Sequence, residues 1–142
     1  MSHRAISTSK FSIWIDVEPA PASRPKVSRY GVRYAKSHMQ YQHDFKKWYL
    51  GIAKDTQWPR YGTALCEVSL DFIATKAKTS KLLTPRWDID NAAKLTLDCF
   101  TSIAADTLWT DDVTISKLNL TKRFAGPDEA AGTLLRVGLA KP

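Results

Sequence analysis

The stretch CEVSLDF, residues 66–72, decides the fold. Its apolar residues alternate with polar ones, which is the period of a β-strand that buries one face. We expect this strand over about residues 64–74. A second alternating stretch, FSIWIDVE at residues 11–18, predicts another strand earlier in the chain. The fold is therefore built around strands that each have one apolar face.

Two segments have the spacing of amphipathic helices, with apolar residues three and four apart. Ser37 is placed to cap the first helix, which should end before Trp58. Its apolar face consists of Tyr41, Phe45, Trp48, Tyr49 and Ile52. Asp90 is placed to cap the second helix, expected over residues 91–105. Its apolar face consists of Ala92, Leu95, Cys99 and Ile103.

The last part of the chain predicts two more strands, over residues 113–124 and 133–140, joined by the turn Gly126-Pro127-Asp128. In the first of them the apolar phase changes between Ile115 and Leu118, which indicates a bulge or an early end. The order β, α, β, α, β, β predicts an α+β fold (mixed α/β), with one small mixed sheet covered by two helices.

The length of 142 residues fits a single domain, residues 1–142, in which the polar segment 1–10 is expected to be a flexible terminus. Hydrophobic residues make up 44% and charged residues 25%, as in folded soluble proteins. No apolar run is long enough to cross a bilayer or to act as a signal peptide, so neither membrane insertion nor secretion is expected. Cys66 and Cys99 lie in apolar stretches and are expected to be reduced core thiols.

Positive charge is concentrated in the first half of the chain. The formal net charge is +7. Residues 1–62 hold 11 basic and 4 acidic residues, whereas residues 63–142 hold 10 of each. Prolines end the first strand and open a basic loop over residues 19–36. The candidate nucleic-acid-binding residues in this loop are Arg24, Lys26, Arg29, Arg33 and Lys36, with Tyr30 and Tyr34 between them.

Such a segment suits a polyanion, because each neutralised phosphate releases counterions. Its cations would bind backbone phosphates, and its tyrosines would stack on exposed bases. A solvated basic loop, with tyrosines that only pack within it, is the alternative.

Carboxylates are concentrated in a different stretch, Asp88-Ile89-Asp90-Asn91-Ala92-Ala93-Lys94, followed by Asp98, Asp111 and Asp112. Asp88 and Asp90 are two residues apart and would stay close where the chain enters a helix. If the fold adds Asp111 or Asp112, three carboxylates could hold one or two Mg²⁺ ions. Lys94 lies one turn beyond Asp90 and could neutralise charge on a phosphate.

Structural interpretations of the same residues remain open. Asp90 could be only a helix cap, Asp90 and Lys94 only an i, i+4 pair, and Asp111-Asp112 only a turn. A calcium-binding EF-hand is excluded, because Ala92 and Ala93 stand where it needs an oxygen ligand and a glycine. His3, His38 and His43 lack partners at zinc-binding spacing.

The segment from Arg86 to Phe124 resembles the RusA family of Holliday-junction resolvases. The matching residues are Asp88-Ile89-Asp90-Asn91, Lys94, Asp98 and Trp109-Thr110-Asp111-Asp112. The first strand and the Pro-rich basic segment after it, Pro19 to Lys36, are also similar to that family, so the likeness covers nearly the whole chain.

The resemblance implies a small mixed α/β homodimer that nicks two opposed strands of a four-way DNA junction, in recombination and repair. It implies Asp88, Asp90 and Asp112 as catalytic ligands of Mg²⁺ or Mn²⁺, Lys94 as the essential lysine, and supporting roles for Asn91 and Asp111. It further implies phage or prophage origin, the cytoplasm of a bacterial or phage-infected cell, and no small-molecule cofactor. A dimer suits the reaction, because two symmetry-related sites can each cut one strand.

One departure from the family pattern concerns the segment from Asp98 to Asp112, which is a few residues longer than the family's spacing. An extra helical turn could absorb the difference; otherwise Asp106 or Asp111 would be the third ligand. Two alternative functions are kept: a non-catalytic branched-DNA-binding protein, and an RNA-directed or general Mg²⁺-dependent nuclease.

Overall fold

The computed structural model describes residues 10–104, 107–109 and 111–140. In chain order its elements are β1 (Phe11–Ile15), β2 (Lys26–Ser28), β3 (Gly31–Arg33), α1 (Lys36–Ile52), β4 (Cys66–Ala74), α2 (Ile89–Ser102), a 3-10 turn (Asp112–Thr114), β5 (Ile115–Phe124) and β6 (Gly132–Leu139). The terminus expected over residues 1–10 lies, except for Lys10, outside the described residues. Neither helix in the described part of the chain has the length and apolar character that a membrane crossing requires.

The main sheet has four strands in the order β1-β6-β4-β5. β4 is parallel to β5 and antiparallel to β6, and β6 is antiparallel to β1. Parallel neighbours require a crossover connection, and α2 lies within the one that joins β4 to β5. The predicted mixed sheet with two helices is therefore confirmed.

The core lies on one face of the sheet and is closed by the apolar faces of both helices. Tyr41 and Phe45 of α1 are buried, as are Leu95 and Cys99 of α2, so the predicted helix faces are confirmed. The rings of Phe45 and Phe100 meet edge to face, with centroids 5.0 Å apart. Truncation of a buried phenylalanine of this kind costs about 3–5 kcal/mol.

The phase change expected between Ile115 and Leu118 is a β-bulge. In the pairing of β4 with β5, Cys66 lies opposite Ile115 but Glu67 lies opposite Lys117. Ser116 therefore has no partner in the register, and the alternation shifts by one residue there.

The basic segment is not the continuous loop that the sequence predicts. Within it, β2 and β3 form an antiparallel pair in which Val27 lies opposite Val32. Gly31 has φ +114°, a backbone conformation that favours glycine, at the start of the returning strand. All residues of β2 and β3 are exposed, so these strands are held together by backbone pairing and bury no side-chain face. We call residues 24–36 the basic hairpin.

Several element boundaries also differ from expectation. α2 covers Ile89–Ser102, and β5 begins at Ile115, not at residue 113. β1 ends at Ile15, and not at residue 18, because the Val17 amide turns back to donate to the Ile15 carbonyl at 2.9 Å. Ser37 does not cap α1. The helix begins at Lys36, and the residue before it, Ala35, accepts from the Met39 amide through its carbonyl at 3.1 Å without a side-chain cap.

Candidate active site

Asp88 stands at the amino end of α2 with a carboxylate that the helix does not use. It occupies the N-cap position, where φ is −68° and ψ is 131°, and its carbonyl accepts from the Ala92 amide at 3.2 Å. An aspartate in this position ordinarily caps a free helix amide with its side chain, but Asp88 makes no such hydrogen bond. Its exposed carboxylate is therefore available to another ligand.

Asp90 is not the helix cap that the sequence predicts. It lies inside the first turn of α2, because the extended residue Asp88 already provides the entry to the helix. One carboxylate oxygen of Asp90, Oδ1, accepts from the Asn91 amide at 3.1 Å. The side chain is exposed. The partial positive charge of the helix end favours a carboxylate at both Asp88 and Asp90.

Lys94 lies one turn beyond Asp90 on the exposed side of α2. Ion pairs within 4.0 Å in the described part of the chain join Lys117 to Glu67, Arg123 to Glu129 and Arg136 to Asp71. Asp90 and Lys94 therefore do not form the i, i+4 pair of the structural interpretation. We call Asp88–Lys94 the acidic end of α2.

Asp111 acts as the cap of the 3-10 turn. Its Oδ1 accepts from the Val113 amide at 3.2 Å, and its carbonyl accepts from the Thr114 amide and hydroxyl at 3.2 and 2.9 Å. Asp112 begins that turn. Its side chain, and the whole of Asp106, lie outside what the structure describes.

The topology separates the two acidic segments along β5. Lys122, near the end of that strand, donates to the Trp87 carbonyl at 2.8 Å, which places the acidic end of α2 beside the last residues of β5. Asp112 precedes the first residue of β5. Between Ile115 and Lys122 the strand covers roughly 23 Å at about 3.3 Å per residue. Among the side chains that the structure describes, which exclude that of Asp112, no group of three His, Cys, Asp or Glu could hold a metal ion.

The base of the basic hairpin adjoins the acidic end of α2. The Ala22 amide donates to the Asn91 carbonyl at 2.9 Å, and the Ser23 amide donates to Nδ1 of His38 at 2.9 Å. The Tyr34 ring stacks on His38 with centroids 4.5 Å apart. The fold therefore brings together the two segments that the sequence separates by about fifty residues.

The hairpin presents its cations to solvent. Every one of the predicted DNA-binding residues is exposed: Arg24, Lys26, Arg29, Tyr30, Arg33, Tyr34 and Lys36. Lys26 and Arg33 lie directly opposite each other in the strand pair, an arrangement of like charges that is unfavourable unless an anion neutralises it. Arg29 stacks over the Tyr30 ring, 4.8 Å from its centroid, and donates to its hydroxyl at 2.6 Å.

Two residues near the site were given no role in it by the sequence analysis. Burial lowers the pKa of His38, which anchors the hairpin base as a neutral acceptor. Lys122 binds the backbone just before Asp88. The sequence contains a signal for Lys122. It alternates in phase with the apolar residues Leu118, Leu120 and Phe124 of β5, on the side of the strand where an apolar residue is expected.

Taken together, fold and site define a small basic α+β protein with an exposed carboxylate pair beside a cationic hairpin, a combination suited to hydrolysis of nucleic acid. Comparison with protein families agrees. Residues 16–130 match the family described as Endodeoxyribonuclease RusA, and the chain belongs to this family of Holliday-junction-resolving endonucleases. A search of curated proteins finds no match to the chain.

Proposed function

We propose that this chain is a Mg²⁺-dependent resolvase that cuts four-way DNA junctions by paired nicks in recombination and repair. The observation that carries the proposal is the pair of exposed carboxylates on Asp88 and Asp90. The side chain of Asp88 makes no capping hydrogen bond, and no cation of the described chain forms an ion pair with either residue. Within a family of endodeoxyribonucleases, such a pair suits a metal centre.

Carboxylate oxygens are the ligands that Mg²⁺ and Mn²⁺ take in proteins, so the donor set of Asp88 and Asp90 fits either ion. We assign Asp112 as the third ligand. Asp111 is the weaker choice, because one of its oxygens already caps the 3-10 turn. When bound, the metal would supply an activated water and stabilise charge on the scissile phosphate.

Lys94 is assigned to the charge that develops on the phosphate during cleavage. Its ammonium has no ion-pair partner among the described residues and stands on the same helix face as Asp90. A cation so placed favours the transition state over the bound substrate, so its loss should lower cleavage more than binding.

We assign DNA binding to the basic hairpin. Its exposed cations would bind backbone phosphates, and Tyr30 or Tyr34 would stack on bases that are unpaired at the branch point. The hydrogen bond between Ala22 and Asn91 would then place that DNA beside the carboxylates.

The protein is proposed to act as a homodimer. The separation between the acidic end of α2 and Asp112 along β5 supports this proposal. One chain places the acidic end of α2 and the turn with Asp112 toward opposite ends of that strand. A second, symmetry-related copy can supply Asp112 to the first copy's Asp88 and Asp90, and receive the same in return. Each dimer would then hold two complete sites, one for each strand to be cut. We place the protein in the cytoplasm of a bacterial or phage-infected cell.

The test is cleavage of an end-labelled four-way junction and of a linear duplex of the same sequence, with Mg²⁺ and with EDTA. Paired symmetric nicks near the crossover, with metal and on the junction alone, are expected. Tight binding without cuts in Mg²⁺ or Mn²⁺ would mean a branched-DNA-binding protein. Equal cleavage of junction, duplex and RNA would mean a general nuclease.

A further inference from the structure

Lys122 projects from the side of β5 that faces the helices. In the register it lies opposite Phe72, whose side chain is buried, and its neighbours in the same phase, Leu120 and Phe124, are half-buried. A partly buried ammonium must find hydrogen-bond acceptors. Nζ of Lys122 finds two, the carbonyls of Pro85 and Trp87, each at 2.8 Å.

Trp87 is also held through its ring. The ring lies 5.5 Å from Nζ of Lys122 and meets Phe72 edge to face, with centroids 5.7 Å apart. Phe72 and Lys122 are cross-strand neighbours, so one strand pair fixes both the ring and the carbonyl of Trp87.

This anchoring reaches Asp88 through a single peptide plane. The Trp87 carbonyl and the Asp88 amide belong to the same planar unit, so the direction of that carbonyl determines how the backbone enters Asp88. The Asp88 side chain makes no capping hydrogen bond of its own. Its orientation therefore depends on the backbone that Lys122 holds.

We infer that Lys122 is a positioning residue for Asp88, acting through the carbonyls of Pro85 and Trp87 to hold that carboxylate ready for the metal. The inference rests on the proposed function, because it makes Asp88 a ligand. We assign Lys122 to the protein's own backbone and not to substrate, because two of its three N–H donors are used on the carbonyls of Pro85 and Trp87. Partners that orient a ligand in this way typically contribute about 10- to 100-fold to metal affinity or activity.

The test compares Lys122→Met with Lys117→Met. Lys117 is on the same strand but is exposed, and its ion-pair partner among the described residues is Glu67, at 3.3 Å. Its replacement therefore removes an equal charge without touching residues 85–88. Lys122→Met is expected to raise the Mg²⁺ concentration for half-maximal cleavage by about 10-fold or more. Junction affinity measured without metal should stay within about twofold of the control.

A second readout needs no cleavage. Hydrogen exchange measured by mass spectrometry should show faster exchange over residues 86–92 in Lys122→Met and an unchanged pattern in Lys117→Met. Lys122→Arg, which keeps the charge and the donors, should recover part of both effects.

Equal Mg²⁺ dependence and equal exchange in the two methionine variants would overturn the inference. Faster exchange over the whole chain, with lower thermal stability, would also overturn it, because Lys122 would then serve the fold in general. A wild-type protein that cuts nothing would instead contradict the proposed function, and the exchange comparison would still decide whether Lys122 holds Trp87.

Discussion

The basic hairpin and the acidic end of α2 adjoin each other but are held in different ways. The hairpin is a two-stranded ribbon with exposed apolar residues, Val27 at 80% and Val32 at 58%, and its hydrogen bonds to the rest of the described chain lie at its base. The acidic end follows a tryptophan fixed by the Phe72–Lys122 pair and continues into the buried residues Ala92 and Ala93.

The difference corresponds to two chemical tasks. Ligands of a reacting centre must be placed to within a fraction of an ångström, so they belong on elements that the core holds. Attraction between cations and phosphates acts over several ångströms and tolerates displacement. A ribbon that adapts to a branched substrate therefore suits phosphate binding, whereas it would be a poor support for metal ligands.

The largest expected effect comes from a single substitution that should abolish cleavage but leave DNA binding intact. Asp90→Asn removes a proposed ligand but no cation, so cleavage should fall by about three orders of magnitude or more, as with other groups acting directly on the reaction. Junction binding should be kept or improved, because repulsion of phosphate decreases. Single-turnover cleavage and gel-shift titration check this, with Asp128→Asn in an exposed turn as control. Full cleavage by pure Asp90→Asn protein would end the metal-site assignment.

The second effect tests whether each site combines two chains. Asp90→Asn and Asp112→Asn should each be inactive alone. In a heterodimer of the two variants, one of the two shared sites carries both changes and the other carries neither. Joint refolding of the two variants should therefore restore single nicks in the junction. If all ligands of a site came from one chain, every site in the mixture would carry one change and no activity would return.

Periodicity predicts those parts of the fold in which burial imposes a pattern. β4, the inner faces of both helices and the bulge in β5 follow from the spacing of apolar residues, because each such residue must reach one core. The hairpin does not follow, since Val27 and Val32 stay exposed and its strands exist only through backbone pairing. Prolines and charge make the same stretch resemble a loop.

For the site, local sequence predicts the chemistry of the residues but not their supports. Paired aspartates two residues apart predict adjacent carboxylates, and both residues lie exposed at the start of α2. Whether Asp112 joins them stays a prediction, because it depends on tertiary and subunit geometry. Lys122 could have been suspected, since a lysine in an apolar phase of a strand requires an internal acceptor.

The third effect concerns the hairpin alone. Replacing Lys26 and Arg33 by alanine should weaken junction binding by about tenfold at moderate salt, and should reduce the slope of log affinity against log salt by about 0.9 for each lost phosphate contact. The cleavage rate of saturated enzyme should change little, because the carboxylates are held elsewhere. Fluorescence anisotropy across a salt series measures this, with Lys117→Ala as control. An unchanged salt slope would argue against phosphate binding by these residues.

The smallest effect is a pH dependence at the hairpin base. Burial lowers the pKa of His38 in the folded protein, an effect that Lys94 reinforces and Asp98 opposes. At pH values between the pKa of His38 in the folded protein and its ordinary pKa of about 6.5, the unfolded chain binds more protons than the folded protein. Stability from the neutral imidazole is therefore complete above about pH 6.5 and is lost as the pH falls through the folded pKa. Protonation would also place a proton on Nδ1, against the Ser23 amide that donates to it.

His38→Asn isolates this contribution, because the asparagine amide oxygen can still accept from Ser23 but does not titrate. On going from pH 7.5 to 5.5, the wild type should lose roughly a few degrees more in Tm than the variant, and exchange of the Ser23 amide should accelerate only in the wild type. Carboxylates that titrate in this range are common to both proteins and cancel in the difference. Parallel Tm curves would mean that the hairpin base does not depend on the charge state of His38.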